Sequence, residues 1–212
     1  MKKAGKRVFE KSGYRTLKNM VIDQCGDKTA EEIWSSAGNE LNALLEKYRD
    51  VPKGEKMHLC GGILPRIAMY RAMLEKMPQE DAVHLLDETI RLNCTEISKK
   101  LGNLTSLPGM PGLFLRIFAY MTKKMFGEAN GFQRVFHEAT GRALRIDITQ
   151  CPYFNYSKAC GCQAIAHTFC DSDDYCYGNL PKIEFIRSET LGRGGSRCDF
   201  CLRKRANRPR NG

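Results

Sequence analysis

Ala143-Leu144-Arg145-Ile146-Asp147-Ile148-Thr149 alternates apolar and polar side chains with a period of two, and residues 132–137 precede it across Ala139-Thr140-Gly141. That alternation belongs to a strand with one buried face, and two such runs around a short turn make a hairpin. Residues 182–188 and 197–202 read as two further strands, joined through Gly192-Arg193-Gly194-Gly195 as a tight turn. That glycine cluster lacks the strand-to-helix setting of a phosphate-binding loop.

Upstream of Gly127 the period is different. Thr29 with Glu32 forms a capping-box pattern, and Ile33, Ala37, Leu41, Leu44 and Leu45 follow at helical spacing to about Tyr48. A second helix is expected over about 57–77, with Ile67, Tyr70, Met73 and Met77 on one face. Pro78 opens a third that carries Ala82, Leu85, Leu86, Ile90, Ile97 and Leu101. A Pro/Gly turn over 107–112 leads to a short apolar helix ending at Met125. The fold class is therefore α+β: a helical N-terminal half, then a small antiparallel four-stranded sheet with short helices inserted. The organisation predicted is a basic arm over 1–28, a helical region over 29–127, a cysteine-rich α+β region over 128–202 and a basic tail over 203–212.

At 212 residues the chain can bury a core without covalent staples. Its net charge of +10 is concentrated at the ends, with +6 on residues 1–18 and +5 on residues 203–212, so the body is close to neutral. Without interleaved aromatics or a reading motif, nucleic-acid binding is not expected of these ends. No apolar run is long enough for a secretory signal or a membrane span, which predicts a soluble, cytoplasmic protein with reduced cysteines. The sequence does not indicate an oligomeric state.

Seven of the ten cysteines fall within the last 62 residues: Cys151, Cys160, Cys162, Cys170, Cys176, Cys198 and Cys201. Such density marks a reactive or metal-binding pocket. Cys151 ends a strand and precedes Pro152 at an expected first helical position, where free backbone N–H groups would lower a thiol pKa, so it is the first candidate nucleophile. Asp171, beside Cys170, is the acid-base candidate, or else a helix N-cap. His167 is a weaker orienting candidate, and His58 and His137 rank below it. On the last strand Cys198 faces inward with Phe200 and Leu202, leaving Asp199 and Cys201 outward. The competing expectation is a structural zinc or iron-sulfur site built from Cys160, Cys162, Cys198 and Cys201, with Cys151, Cys170 and Cys176 able to complete or replace them. A third is a module that binds a small molecule without turning it over.

The spaced set Ile146-Asp147-Ile148-Thr149, Cys151-Pro152-Tyr153, Phe169-Cys170-Asp171, Phe185-Ile186-Arg187, Thr190-Leu191 and Gly194-Gly195-Ser196-Arg197-Cys198-Asp199-Phe200 resembles the framework of the L-2-amino-thiazoline-4-carboxylic acid hydrolase family. Ile63-Leu64-Pro65 is a weaker match. The resemblance implies hydrolytic opening of a small cyclic amidine/thioether that bears a carboxylate, with no required cofactor. It places Cys151, Asp171, Cys170 and Cys198 in the catalytic set, with Arg187 and Tyr153 on the substrate. Cys160, Cys162, Cys176 and Cys201 are additions to the family pattern.

Overall fold

The computed structural model describes residues 4–206 of the chain; residues 1–3 and 207–212, which carry part of both basic ends, lie outside the described residues. Helix α1 (Ala4–Phe9) is followed by α2 (Ser12–Lys47), so helix begins well before the expected boundary at residue 29. Most of the expected basic arm is thus helical, with Phe9, Leu17 and Val21 buried in the core. The helical dihedrals break once inside α2, at Gly26, where φ is 79° and ψ is 163°. An L side chain avoids that conformation, so Gly26 marks the kink. The Thr29-Glu32 pattern sits just beyond the break, which is why it resembled a helix start.

Helix α3 (Lys53–His58) runs through a π turn, Leu59–Ile63, into α4 (Leu64–Leu74). Pro65 explains the π turn: a proline has no N–H to donate, and in an α-helix its ring would strike the carbonyl four residues back, here Gly61. Widening by one residue, eased by Gly61-Gly62, carries the chain past the proline without a break. Helix α4 is apolar almost all round, and Leu64, Ile67, Ala68, Met69, Tyr70, Ala72 and Met73 are buried against α2. Such a helix is the centre of its core. Each fully buried Leu, Ile or Met side chain contributes about 2 kcal/mol. Two cations interrupt it, Arg66 and Arg71. Arg71 reaches the Glu40 carboxylate at 2.5 Å and the Cys160 carbonyl.

Helix α5 (Gln79–Ser106) begins after Pro78, as the sequence indicates. Helix α6 (Met110–Met125) completes the expected helical half, but its buried side chains, Leu115 and Ala119, belong to the core of the sheet. The sheet consists of β1 (Gln133–Ala139), β2 (Ala143–Gln150), β3 (Ile183–Ile186) and β4 (Cys198–Lys204), all antiparallel in the order β1-β2-β4-β3. Between β2 and β3 lie α7 (Pro152–Ala159) and α8 (Ala166–Tyr177). Strand β4 runs into the expected tail as far as Lys204.

Register decides what the sheet shows to α6 and α8. Leu144, Ile146 and Ile148 pair with Leu202, Phe200 and Cys198. With a side-chain period of two, these six share the covered face. Phe118 of α6 stacks on Phe200 with centroids 5.9 Å apart. The opposite face pairs Asp147 with Asp199, a repulsive arrangement relieved on each side. Asp147 meets His137 at 2.9 Å and Arg197 at 3.5 Å, while Asp199 accepts from the backbone N–H groups of Ser188 and Glu189. Among the described residues no helix is long and apolar enough to cross a membrane.

Candidate functional site

The inward face of β4 ends at Cys198, and α8 crosses it so that Cys170 meets that thiol in a sulfur hydrogen bond. The loop after β3 completes the arrangement. Asp199 holds Ser188 and Glu189, and Thr190 caps the short 3-10 turn Leu191–Arg193, its hydroxyl oxygen accepting from the Arg193 N–H at 3.2 Å. The turn then aims the Leu191 N–H at Cys198 Sγ, 3.3 Å away, and the Gly192 N–H at Cys170. What reads in sequence as a tight glycine turn is a cradle of backbone donors over two thiols.

These donors separate the two sulfurs. The Cys198 thiol donates to Cys170, and with the Thr190 hydroxyl, the Gly192 N–H and the Arg187 charge it outweighs burial and draws the Cys170 pKa down to about 6. Cys198 moves strongly the other way, first because its hydrogen bond favours the protonated form and then because it is buried. The two thiols titrate as a pair, whose first proton is lost well below the ordinary thiol range and whose second is held strongly. Cys94 on α5 and Cys176 on α8 form a second thiol pair, with Cys94 lowered by its hydrogen bond from Cys176 and Cys176 raised.

One turn along α8 from Cys170 is Asp173. Protein surrounds its carboxylate, yet about a third of the side chain stays accessible, because it forms part of the wall of a cavity of about 280 Å³. Phe118, Met121, Met125, Ile148 and Tyr177 also line that cavity. Burial pushes the Asp173 pKa up to about 7 against the pull of Arg187. The Arg187 guanidinium, only 6% exposed, donates to Asp173 at 3.2 Å, to the Cys170 carbonyl at 3.0 Å and to Asp174. Three of its five donors are thus spent on α8, and it also lines a shallow pocket with Thr190 and Arg193.

Cys151 stands at the N-cap of α7, with Pro152 at the first helical position as expected. Its thiol nevertheless lies high, pushed to about 12 by burial, which overrides the lowering influence of the Phe154 and Tyr153 N–H groups. It feels the charges of Cys170 and Asp173, so the three belong to one neighbourhood. The Tyr153 hydroxyl is committed to His58 Nδ1 at 2.9 Å. Since His58 Nε2 faces the Met125 carbonyl, which can only accept, Nε2 carries the proton and Tyr153 is the donor. The Tyr153 ring packs on Phe169, with centroids 5.1 Å apart.

Asp171 sits inside α8 rather than capping a helix. It is 4% exposed, held by Arg193 through two hydrogen bonds and by His167 Nδ1 at 2.8 Å. Asp87, His167 and Asp171 offer ligand atoms within 4.8 Å of one another, the only such group among the described residues. The Asp87 carboxylate accepts from Tyr175 through Oδ2, while its buried Oδ1 has no hydrogen-bond partner. The Arg193 charge already balances Asp171, so this cluster reads as a clamp between α5, α8 and the 3-10 turn. The four thiols of the expected zinc or iron-sulfur site do not meet. Cys160 and Cys162 pack in the helical core, Cys198 lies under α8, and Cys201 lies on the outer face among Arg203, Arg145, Glu138 and Glu184.

Gly192 is the tightest element of the cradle. A Cβ there would come within 2.8 Å of Cys170 Sγ and 2.9 Å of the Ala166 carbonyl oxygen. Gly192→Ala is expected to cost about 1–3 kcal/mol in a denaturant titration. It should also slow alkylation of Cys170 at pH 6.5, because the N–H that stabilises the thiolate is displaced.

Searches of curated proteins and of solved structures each find no match. A family model described as L-2-amino-thiazoline-4-carboxylic acid hydrolase matches residues 56–202, from the end of α3 to β4 and including the whole cradle. That span exceeds half of the chain, and the protein belongs to the L-2-amino-thiazoline-4-carboxylic acid hydrolase family.

Proposed function

We propose that the protein hydrolyses a small cyclic amidine/thioether carboxylate of the 2-amino-thiazoline type, with Cys170 as nucleophile and Asp173 as proton donor and acceptor. The supporting observation is geometric: one turn of α8 carries both residues, Arg187 binds the Asp173 carboxylate and the Cys170 backbone carbonyl, and Asp173 lies on the cavity wall. Two titratable groups displaced in opposite directions suit nucleophilic attack coupled to proton delivery. The reading differs from the sequence expectation in moving attack from Cys151 to Cys170 and proton transfer from Asp171 to Asp173. Cys151 is then a neutral thiol beside the reacting centre, and Cys198 a donor that keeps Cys170 ionised.

The steps balance as follows. The Cys170 thiolate adds to the carbon of the protonated amidine that bears the ring sulfur. The bond from that carbon to ring sulfur breaks, the sulfur leaves with the electron pair, and Asp173 supplies its proton. The ring is now open and its former amidine carbon is held as a thiouronium on Cys170. Water attacks this carbon while the Asp173 carboxylate takes a proton, Cys170 departs as thiolate, and the protonated urea loses one proton to solvent. The net change is addition of one water and release of one thiol.

That thiol provides the assay. Incubation with L-2-amino-thiazoline-4-carboxylate should release one thiol per turnover, read by a disulfide chromogen, and yield the N-carbamoyl product in a mass spectrum. Ligand binding without thiol release would leave a binding module and overturn the catalytic reading.

A further inference from the structure

Arg66 stands on α4 immediately after the π turn and Pro65, and it is the cation in the helical core that lacks a counter-ion. Surrounding protein desolvates its guanidinium, although the residue as a whole is only half-buried. Among the described residues it makes no ion pair. Of its five N–H donors one is used among the described residues, from Nη1 to Thr168 Oγ1 at a long 3.3 Å. Its flat face lies on the Phe169 ring at 3.8 Å from the centroid. Burial pulls its pKa down, and the charges that reach it are those of Tyr14, Tyr153, Cys94 and Asp87, none within ion-pair distance.

The other cations nearby show what the fold does when it means to neutralise one. Arg71, five residues along the same helix, has Glu40; Arg187 has Asp173 and Asp174; Arg193 has Asp171. An enclosed guanidinium with four free donors is costly to keep and is matched by a planar anion that accepts two parallel hydrogen bonds. Phe169, which fixes its plane, directly precedes Cys170 and touches Tyr153, whose ionisation senses both Arg66 and Cys151. Phe169 and Tyr153 thus connect Arg66 to the segments that carry Cys170 and Cys151.

We infer that Arg66, stacked on Phe169, is the seat of the substrate's carboxylate. This inference rests on the proposed hydrolase reading for the identity of the ligand and assigns to Arg66 the role expected of Arg187.

Calorimetric titration separates this from a structural role. The probes are L-2-amino-thiazoline-4-carboxylate and 2-amino-2-thiazoline, the same ring without the carboxylate, titrated into Cys170→Ser protein so that turnover does not contribute heat. The carboxylate probe should bind more tightly than its analogue, and adding Arg66→Met should weaken it on the order of 10²-fold while leaving the analogue unchanged. Arg66→Lys, which keeps the charge without the fork, should fall between. In the absence of ligand Arg66→Met should keep or raise Tm, since an unpaired buried charge is removed; a structural role predicts a lower Tm and an unchanged ratio. Equal binding of the two probes, or of neither, by the Cys170→Ser parent overturns the inference. Carboxylate discrimination that depends on Arg66 in a wild-type protein that releases no thiol retains it while rejecting the hydrolase reading. Thiol release with a ratio indifferent to Arg66 does the reverse.

Discussion

Cys170→Ser is expected to abolish thiol release from L-2-amino-thiazoline-4-carboxylate, with a loss on the order of 10³-fold or more in kcat, as for the removal of any nucleophile that forms a covalent intermediate. Binding of the carboxylate probe should survive, because Arg66 is untouched. Iodoacetamide gives the same assignment without a substrate. One thiol should react with a pH midpoint about 6 and map by peptide mass to Cys170. Cys151, held near 12 by burial, should stay unmodified throughout the neutral range. Cys198→Ala removes the first of the groups that stabilise the Cys170 thiolate, so the midpoint should rise. A fast-reacting thiol that maps instead to Cys151 would return the nucleophile to the position that sequence reasoning favours.

That contrast shows where the sequence was legible. Alternation in residues 143–149 located β2, and the same period on β4 placed Cys198 inward and Cys201 outward, which the register confirms. Cys151-Pro152 located the start of α7 because a proline at the first helical position is a local signal. Local patterns do not report enclosure. The amides facing Cys151 act on a thiol so buried that its pKa rises, and nothing within a few residues of position 151 encodes that burial. Asp171 and Asp173 lie two residues apart on α8, so they point to different sides, and only tertiary packing sends the first to Arg193 and the second to the cavity. Arg66 was passed over because an arginine in an apolar helix has no period of its own. A cation inside an all-apolar stretch beginning with Gly-Gly-Ile-Leu-Pro was the available signal. The start of α2 was hidden for a related reason: residues 4–18 hold five Lys and Arg, whose alkyl stems cover a helix as readily as they solvate an arm.

Asp173→Asn should separate catalysis from stability. Wild-type kcat/KM is expected to rise as Cys170 ionises through about 6 and to fall as Asp173 loses its proton through about 7, a narrow bell with its maximum between them. With Asn the alkaline limb should vanish, and the rate at the maximum should drop about 10²-fold or more, because ring sulfur must leave without a proton. Stability should move the opposite way. The folded-state pKa of Asp173 lies above its ordinary value of 3.8, so between about 4 and 7 the native state binds more protons than the unfolded one. Its contribution to stability is therefore present at low pH and lost as pH rises toward 7 and beyond. Asn carries no such charge, and Arg187 keeps Asp174 and the Cys170 carbonyl as partners. Thermal melts should find Asp173→Asn more stable than wild type at pH 8, with the advantage shrinking to nothing near pH 4. A variant less stable than wild type at pH 8 would show that the Arg187 ion pair outweighs burial, and would take Asp173 out of the proton-transfer role. A more stable and nearly inactive enzyme is the behaviour of a carboxyl group kept in an unfavourable place for its chemistry.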